Sequence, residues 1–202
     1  MQKKVLVTAG PTREAIDPVR YISNKSSGKT GYAIANEFVL QGASVRLVSG
    51  PVSVEKPALV EIIDVETAEQ MKKAIFENYE WADIVIMAAA VADFKPKLAA
   101  KQKIKKSSEL TIELEKTSDI LEELGKNKKH QRLVGFALET ENLLENAEKK
   151  LKEKNLDLVI ANNEKAINSK KADFVFVDNS GTEELKSISK EELAKKIAKR
   201  FL

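Results

Sequence analysis

Hydroxyl, amide and cationic donors crowd one segment near the start of the chain. Thr12, Arg13, Arg20, Asn24, Lys25, Ser26, Ser27 and Lys29 all lie between Pro11 and Gly31, and such groups bind phosphates and carboxylates. An apolar run, Val5–Val7, leads into Gly10-Pro11, and the next helix-like pattern starts only near Thr30. A strand-to-helix connection in an α/β domain usually takes roughly 2–6 residues, so Pro11–Lys29 is long for a mere connector. Composition alone leaves a solvated loop and a binding loop equally open. A second candidate is Ala88-Ala89-Ala90-Val91-Ala92-Asp93. Small residues at a strand end let a flat ring approach the backbone, and Asp93 beyond them suits a magnesium ion or a base contact. Tight helix–sheet packing uses alanines equally well, and an Asp after a strand is also a turn former. The third is KQKIKK, where Lys101, Lys103, Lys105 and Lys106 would close over phosphates as a mobile lid. A solvated charge run is the commoner meaning of such a string.

Other chemistries are excluded by what the chain lacks. Without cysteine there is no disulfide framework, thiolate nucleophile or Cys-based zinc site. The single His130, in the polar tract KNKKHQR, argues against a histidine metal cluster or a Ser-His-Asp triad. Tyr21 and Lys25 have the Y-x-x-x-K spacing of short-chain dehydrogenases. That pair belongs on a later helix, however, and no G-x-G-x-x-G follows Val7. The 34 basic and 31 acidic residues nearly cancel to +3, which does not suggest a nucleic-acid binder. Few aromatics argue likewise against an RNA-binding module. No apolar run approaches the roughly 18 residues that span a bilayer, and MQKKVLVTAG is a charged entry into a strand. The expectation is a cytoplasmic protein with no nucleic-acid or membrane partner.

Candidate strands and helices alternate as a parallel sheet requires. Strands are expected at Val5–Thr8, Val45–Ser49, Val60–Asp64, Ile84–Ala88, Leu133–Ala137 and Leu156–Ala161. Helices are expected over Tyr32–Gln41, ending at Gly42, over Glu141–Lys154, and after two capping boxes, Thr67 with Gln70 and Ser189 with Glu192. Leu110–Glu115 (LTIELE) alternates apolar and polar, and Asp173–Val177 precedes a turn at Asn179-Ser180-Gly181 with a short return near Leu185. Both read as strands added beside the main sheet. The fold class expected is α/β: a Rossmann-like three-layer sandwich with a mostly parallel sheet and a few added antiparallel strands. Length and a 43% hydrophobic content suit a single domain over residues 1–202. In such sheets ligands bind beyond the carboxyl ends of the strands.

The segments TAGPTREAIDPVRYISNKSSGKTGYAIA, LVSGPV, AAAVADF, KIKK, SDIL, GFALET and NLDLVIANN follow one another across nearly the whole chain. Together they resemble phosphopantothenoylcysteine synthetase, the amide-forming half of the bacterial bifunctional coenzyme A biosynthesis flavoprotein. That family joins 4′-phosphopantothenate to L-cysteine, and its bacterial members use CTP with magnesium or manganese, releasing CMP and pyrophosphate. The resemblance implies a synthetase domain without the decarboxylase half, free-standing or excised, with no bound flavin. It also implies a homodimer in which the strands around Leu110–Glu115 pair between subunits.

The resemblance further implies roles for individual residues. Lys103 would contact phosphate as a catalytic residue, and Asn24 would hold the acyl-phosphate intermediate through its amide. Nucleotide contacts fall to Met87, Ala88, Ala89, Asp93, Lys103, Ser118, Asp119, Ile120, Leu121, Phe136, Lys150 and Lys154, with Asp93 also the metal ligand. Substrate contacts fall to Asn24, Ser26, Ser27, Gly28 and Lys29. Lys150 and Lys154, four apart on one helix face, can converge on one ligand. The family often has proline where this chain has Ser118, which touches only a backbone-type contact.

Overall fold

A computed structural model describes residues 2–106, 109–166 and 169–202. Its strands are β1 (Lys4–Ala9), β2 (Arg13–Ala15), β3 (Tyr21–Ser23), β4 (Ser44–Ser49), β5 (Glu61–Asp64), β6 (Ile84–Met87), β7 (Phe94–Pro96), β8 (Leu114–Lys116), β9 (Arg132–Leu138), β10 (Leu158–Asn162), β11 (Lys171–Asp178) and β12 (Gly181–Ser189). The helices are α1 (Lys29–Leu40), α2 (Ala68–Tyr79), α3 (Ile120–Lys126), α4 (Leu143–Glu153) and α5 (Lys190–Phe201). Eight strands form one sheet in the order β12-β11-β10-β9-β6-β1-β4-β5. From β5 to β10 every pairing is parallel, and the β11–β12 hairpin adds two antiparallel strands at one edge.

Alternation along the strands divides the core in two. Val5, Val7 and Ala9 of β1 point to one face, packed with Ile34 and Phe38 of α1 and Ile197 of α5. Leu6 points to the other, with Met71 and Ile75 of α2, Leu124 of α3 and Leu151 of α4. This is the two-residue period of a strand buried on both sides, and it puts α1 and α5 on one face and α2, α3 and α4 on the other. The chain runs from β1 outward to β4 and β5 and then crosses back through α2 to β6 on the other side of β1, so a crevice opens between the carboxyl ends of β1 and β6.

Two expected features take another form. Leu110–Glu115 does not extend the main sheet. Only Leu114–Lys116 is a strand, and it pairs with Phe94–Pro96 in a separate two-stranded sheet. Leu110 and Leu114 are half exposed, so the alternating pattern has no core of its own beneath it, and the β11–β12 hairpin already occupies the sheet edge. The Pro11–Lys29 connector is not irregular throughout, since β2 and β3 form a small hairpin within it. The hairpin after Asp173 extends the main sheet as its turn residues predict.

Candidate active site

A cleft of about 1120 Å³ lies over the carboxyl ends of β6, β9 and β10 and against the start of α1. Pockets for one small ligand run roughly 300–1,000 Å³, so this one lies just above that range. Its floor begins where β1 and β6 stop pairing as strands and continue as a single bridge, Pro11 to Ala90. The Ala90 amide donates to the Gly10 carbonyl at 2.9 Å. Two fully buried threonines hold the same turn: Thr8 Oγ1 accepts from the Ala89 amide at 3.0 Å, and Thr12 Oγ1 from the Ala92 amide at 2.9 Å. A ring laid on this turn therefore meets methyl groups and carbonyls, because these amides are already bonded. Asn24 clamps the turn from outside, its Nδ2 donating to the Ala90 carbonyl at 3.0 Å and to Val91 at 3.2 Å.

One wall is cationic. Lys150 donates to the Phe136 carbonyl at 2.6 Å, and Lys154 pairs with Asp119 at 2.5 Å. Loss of solvation, then repulsion from Lys154, push the Lys150 ammonium below the usual lysine range, against the pull of Asp119, Glu139 and Asp93. Asp119 caps α3 by accepting from the Glu122 amide. Burial pushes its carboxyl up, but the bonds from Lys154 and Glu122 outweigh that and hold it below the usual carboxylate range. Beside it, the Ser118 hydroxyl accepts from Lys72, which also pairs with Glu123 at 2.7 Å.

The opposite wall is the start of α1. Gly28 has a φ of 78° and supplies no side-chain cap, so first-turn amides remain available to an anion. This start presses onto the end of β1: a Cβ added to Gly31 would sit 2.5 Å from the Ala9 methyl. Ser26, Ser27, Lys29 and, from α5, Lys190 line this side.

Met87, Ala88, Ala89, Asp93, Ser118, Asp119, Ile120, Leu121, Phe136, Lys150 and Lys154 all line the one cleft, as do Asn24, Ser26, Ser27, Gly28 and Lys29. Lys103 does not. Its segment is clipped to the β2–β3 hairpin, where the Ile104 amide donates to Asp17 at 3.1 Å, Arg20 donates to the Ile104 carbonyl at 3.0 Å and the Ala100 amide bonds Ile16 at 2.9 Å. The lysine string expected as a mobile lid is thus anchored at Ala100 and Ile104. Asp93 is exposed at the cleft edge, and among the described residues no group of three or more His, Asp or Glu could by itself hold a metal ion. A lone carboxylate still fits a magnesium ion carried by substrate phosphates, which takes one or two protein carboxylates. Lys190 went unnoticed in the sequence. The readable signal was a lysine immediately after the capping Ser189, where a helix start favours acids.

The whole chain, residues 1–202, matches the family described as the DNA/pantothenate metabolism flavoprotein C-terminal domain. It is 55% identical over 163 residues to the coenzyme A biosynthesis bifunctional protein CoaBC of Bacillus subtilis, a match covering 80% of this chain and 40% of that protein. To the CoaBC protein of Borreliella burgdorferi it is 44% identical over 201 residues, covering 98% and 52%. The chain thus spans about half the length of these relatives. The crystal structure of the C-terminal domain of a CoaBC protein superposes with a TM-score of 0.86 at 44% identity, covering 99% of this chain and 94% of that one.

Proposed function

This chain belongs to the DNA/pantothenate metabolism flavoprotein C-terminal domain family, and from that premise we propose that it is a CTP-dependent phosphopantothenate–cysteine ligase of coenzyme A biosynthesis. The observation that carries the reading is the gathering, in one cleft, of an alanine turn suited to a base, converging cations for a triphosphate and a second donor-rich wall.

A carboxylate does not accept an amine directly, because the leaving group would be oxide. In the first step a carboxylate oxygen of 4′-phosphopantothenate attacks the α-phosphorus of CTP, the bond to the β-phosphate breaks and pyrophosphate leaves. In the second, the cysteine amine attacks the acyl carbon, CMP leaves with that oxygen and the amine loses a proton. Both partners of the first step are anionic, so catalysis rests on positioning and charge neutralisation. Lys150 and Lys154 supply positive charge, with Phe136 and Asp119 fixing their positions. Asp93 is the residue that would hold magnesium, whose chemistry here is to neutralise the triphosphate. Neither step is a redox step, so the reaction makes no use of flavin. A nucleoside triphosphate co-substrate places the reaction in the cytoplasm.

The active form is a homodimer. Val19, Tyr21, Phe94, Leu98 and Leu114 are large apolar side chains left exposed on the two small sheets and their flanks, and a symmetric partner would cover them.

A nicotinamide-dependent dehydrogenase on the same fold is the rival. Unfolding in the presence of ligands separates the two, because a ligand stabilises only the state that binds it. At about 100 times its Kd, CTP with magnesium is expected to raise Tm by roughly 5–10 °C, and NAD(H) or NADP(H) to leave it unchanged. Stabilisation by a nicotinamide nucleotide and none by CTP would overturn the ligase reading.

A further inference from the structure

Lys190 is a cation where a cation is disfavoured. It is the first residue of α5, directly after the capping Ser189, where the positive end of the helix dipole opposes its charge. Glu191 and Glu192 share that turn, but the Glu192 carboxylate faces the Ser189 amide at 2.7 Å. The Lys190 ammonium donates to a neutral carbonyl, that of Ser169. Loss of solvation, then repulsion from Lys29, push it below the usual lysine range, with Glu191 opposing.

Lys29 repeats the arrangement. It is the first residue of α1, again at a helix start, and α1 and α5 pack on the same face of the sheet. Two like charges from two adjacent helix starts therefore line one wall of the cleft. An anion between them would reverse each unfavourable interaction at once. Ser26, Ser27 and Asn162 line the same cleft, and the two hydroxyls are neutral donors. Lys150 and Lys154 reach the cleft from α4, on the other face of the sheet. The cleft thus has two cationic poles with the alanine turn between them.

The proposed acyl-cytidylate carries a singly charged mixed carboxylic–phosphoric anhydride at its acyl end and a phosphomonoester, with about −1.5 to −2 charge near neutral pH, at the other. Resting on the ligase reading, we infer that Lys190, together with Lys29, holds the phosphomonoester and makes the site select the phosphorylated acid over its unphosphorylated alcohol. Lys190 is then a specificity-determining residue.

Calorimetric titration of the parent protein, Lys190→Gln and Lys190→Arg with 4′-phosphopantothenate, pantothenate and CTP-magnesium tests this. Lys190→Gln is expected to weaken 4′-phosphopantothenate binding about tenfold or more and to leave pantothenate and CTP within about twofold. Lys190→Arg, which keeps the charge, should recover most of the loss. The Tm of Lys190→Gln should equal or exceed the parental value, since an unfavourable charge leaves the helix start. A variant that loses all three ligands together, or none, overturns the assignment. Phosphopantothenate binding by the parent without amide product would sink the ligase reading and leave Lys190 its role. Product formation by Lys190→Gln at the parental KM for phosphopantothenate would do the reverse.

Discussion

Lys150 concentrates the electrostatics of the cleft, because desolvation and Lys154 both work against its charge. A bound triphosphate supplies the missing counter-charge and must raise its affinity for a proton. CTP binding is therefore expected to draw protons from buffer at alkaline pH, where free Lys150 is partly deprotonated, and calorimetry in buffers of different ionisation enthalpy measures the uptake. Lys150→Gln should lower kcat/KM about 100-fold, as loss of a transition-state charge contact does. Asn24 offers a different separation. Its Nδ2 bonds the Ala90 and Val91 carbonyls, so Asn24→Asp sets a carboxylate against two carbonyls and lifts the connector off the turn. CTP affinity should stay within about threefold, since most of its expected contacts lie on β6, β9, α3 and α4 and their flanks and not on the connector, while amide product falls about 100-fold or more. Product at the parental rate would leave Asn24 a turn former. The cleft residues were legible because the family motifs fall on loops that converge in space. The Lys154–Asp119 pair was not, since its partners are 35 positions apart and no local pattern joins them. Lys103, expected at the phosphates, lies outside the cleft lining, next to Ile104, which Asp17 and Arg20 hold.

That clip is the clearest device at the level of elements. Asp17, 3% exposed, accepts from the Val19, Arg20 and Ile104 amides and from the Arg20 guanidinium. The guanidinium first, and the amides with it, hold its carboxyl well below the usual range against burial. Its contribution to stability is thus fully present above the unfolded value near about 3.9 and is lost as pH falls through the folded value. In urea unfolding, the gap between the parent and Asp17→Asn should be constant from about pH 5 to 8 and narrow below about pH 4; a gap independent of pH would contradict this. Gly125 couples α3 to the end of α4, for a Cβ there would lie 2.0 Å from the Lys154 carbonyl oxygen. Gly125→Ala should cost about 1–3 kcal/mol and weaken CTP binding by displacing Lys154. Longer elements could be read from the chain because their signals are local: both capping boxes form as their spacing predicts. The seven-residue α3 is too short to show a periodicity, and Leu110–Glu115 has a strand's alternation without a core to bury it.

At the scale of the molecule, the sheet order turns back between β1 and β6 and fixes where chemistry can occur. Helices on one face bring Lys29 and Lys190, those on the other bring Lys150 and Lys154, and the strand ends supply the uncharged floor between them. The parallel order was readable from alternating patterns, and among the described residues no helix is long and apolar enough to cross a membrane. The small two-stranded sheets were harder to place, because their apolar side chains face outward. If a second copy covers them, light scattering should give twice the 22.4 kDa chain mass, and Leu98→Glu, at a position 88% exposed, should halve it without lowering the helix content. The proposed ligase reaction turns on activation of a carboxylate by attack on the α-phosphorus of CTP. It is tested most directly with 4′-phosphopantothenate labelled with ¹⁸O in both carboxylate oxygens, incubated with CTP, magnesium and cysteine, with the products resolved by mass spectrometry. One labelled oxygen is expected in CMP per amide formed, and none in pyrophosphate. Label in phosphate or pyrophosphate, or amide formed with unlabelled CMP, would contradict it.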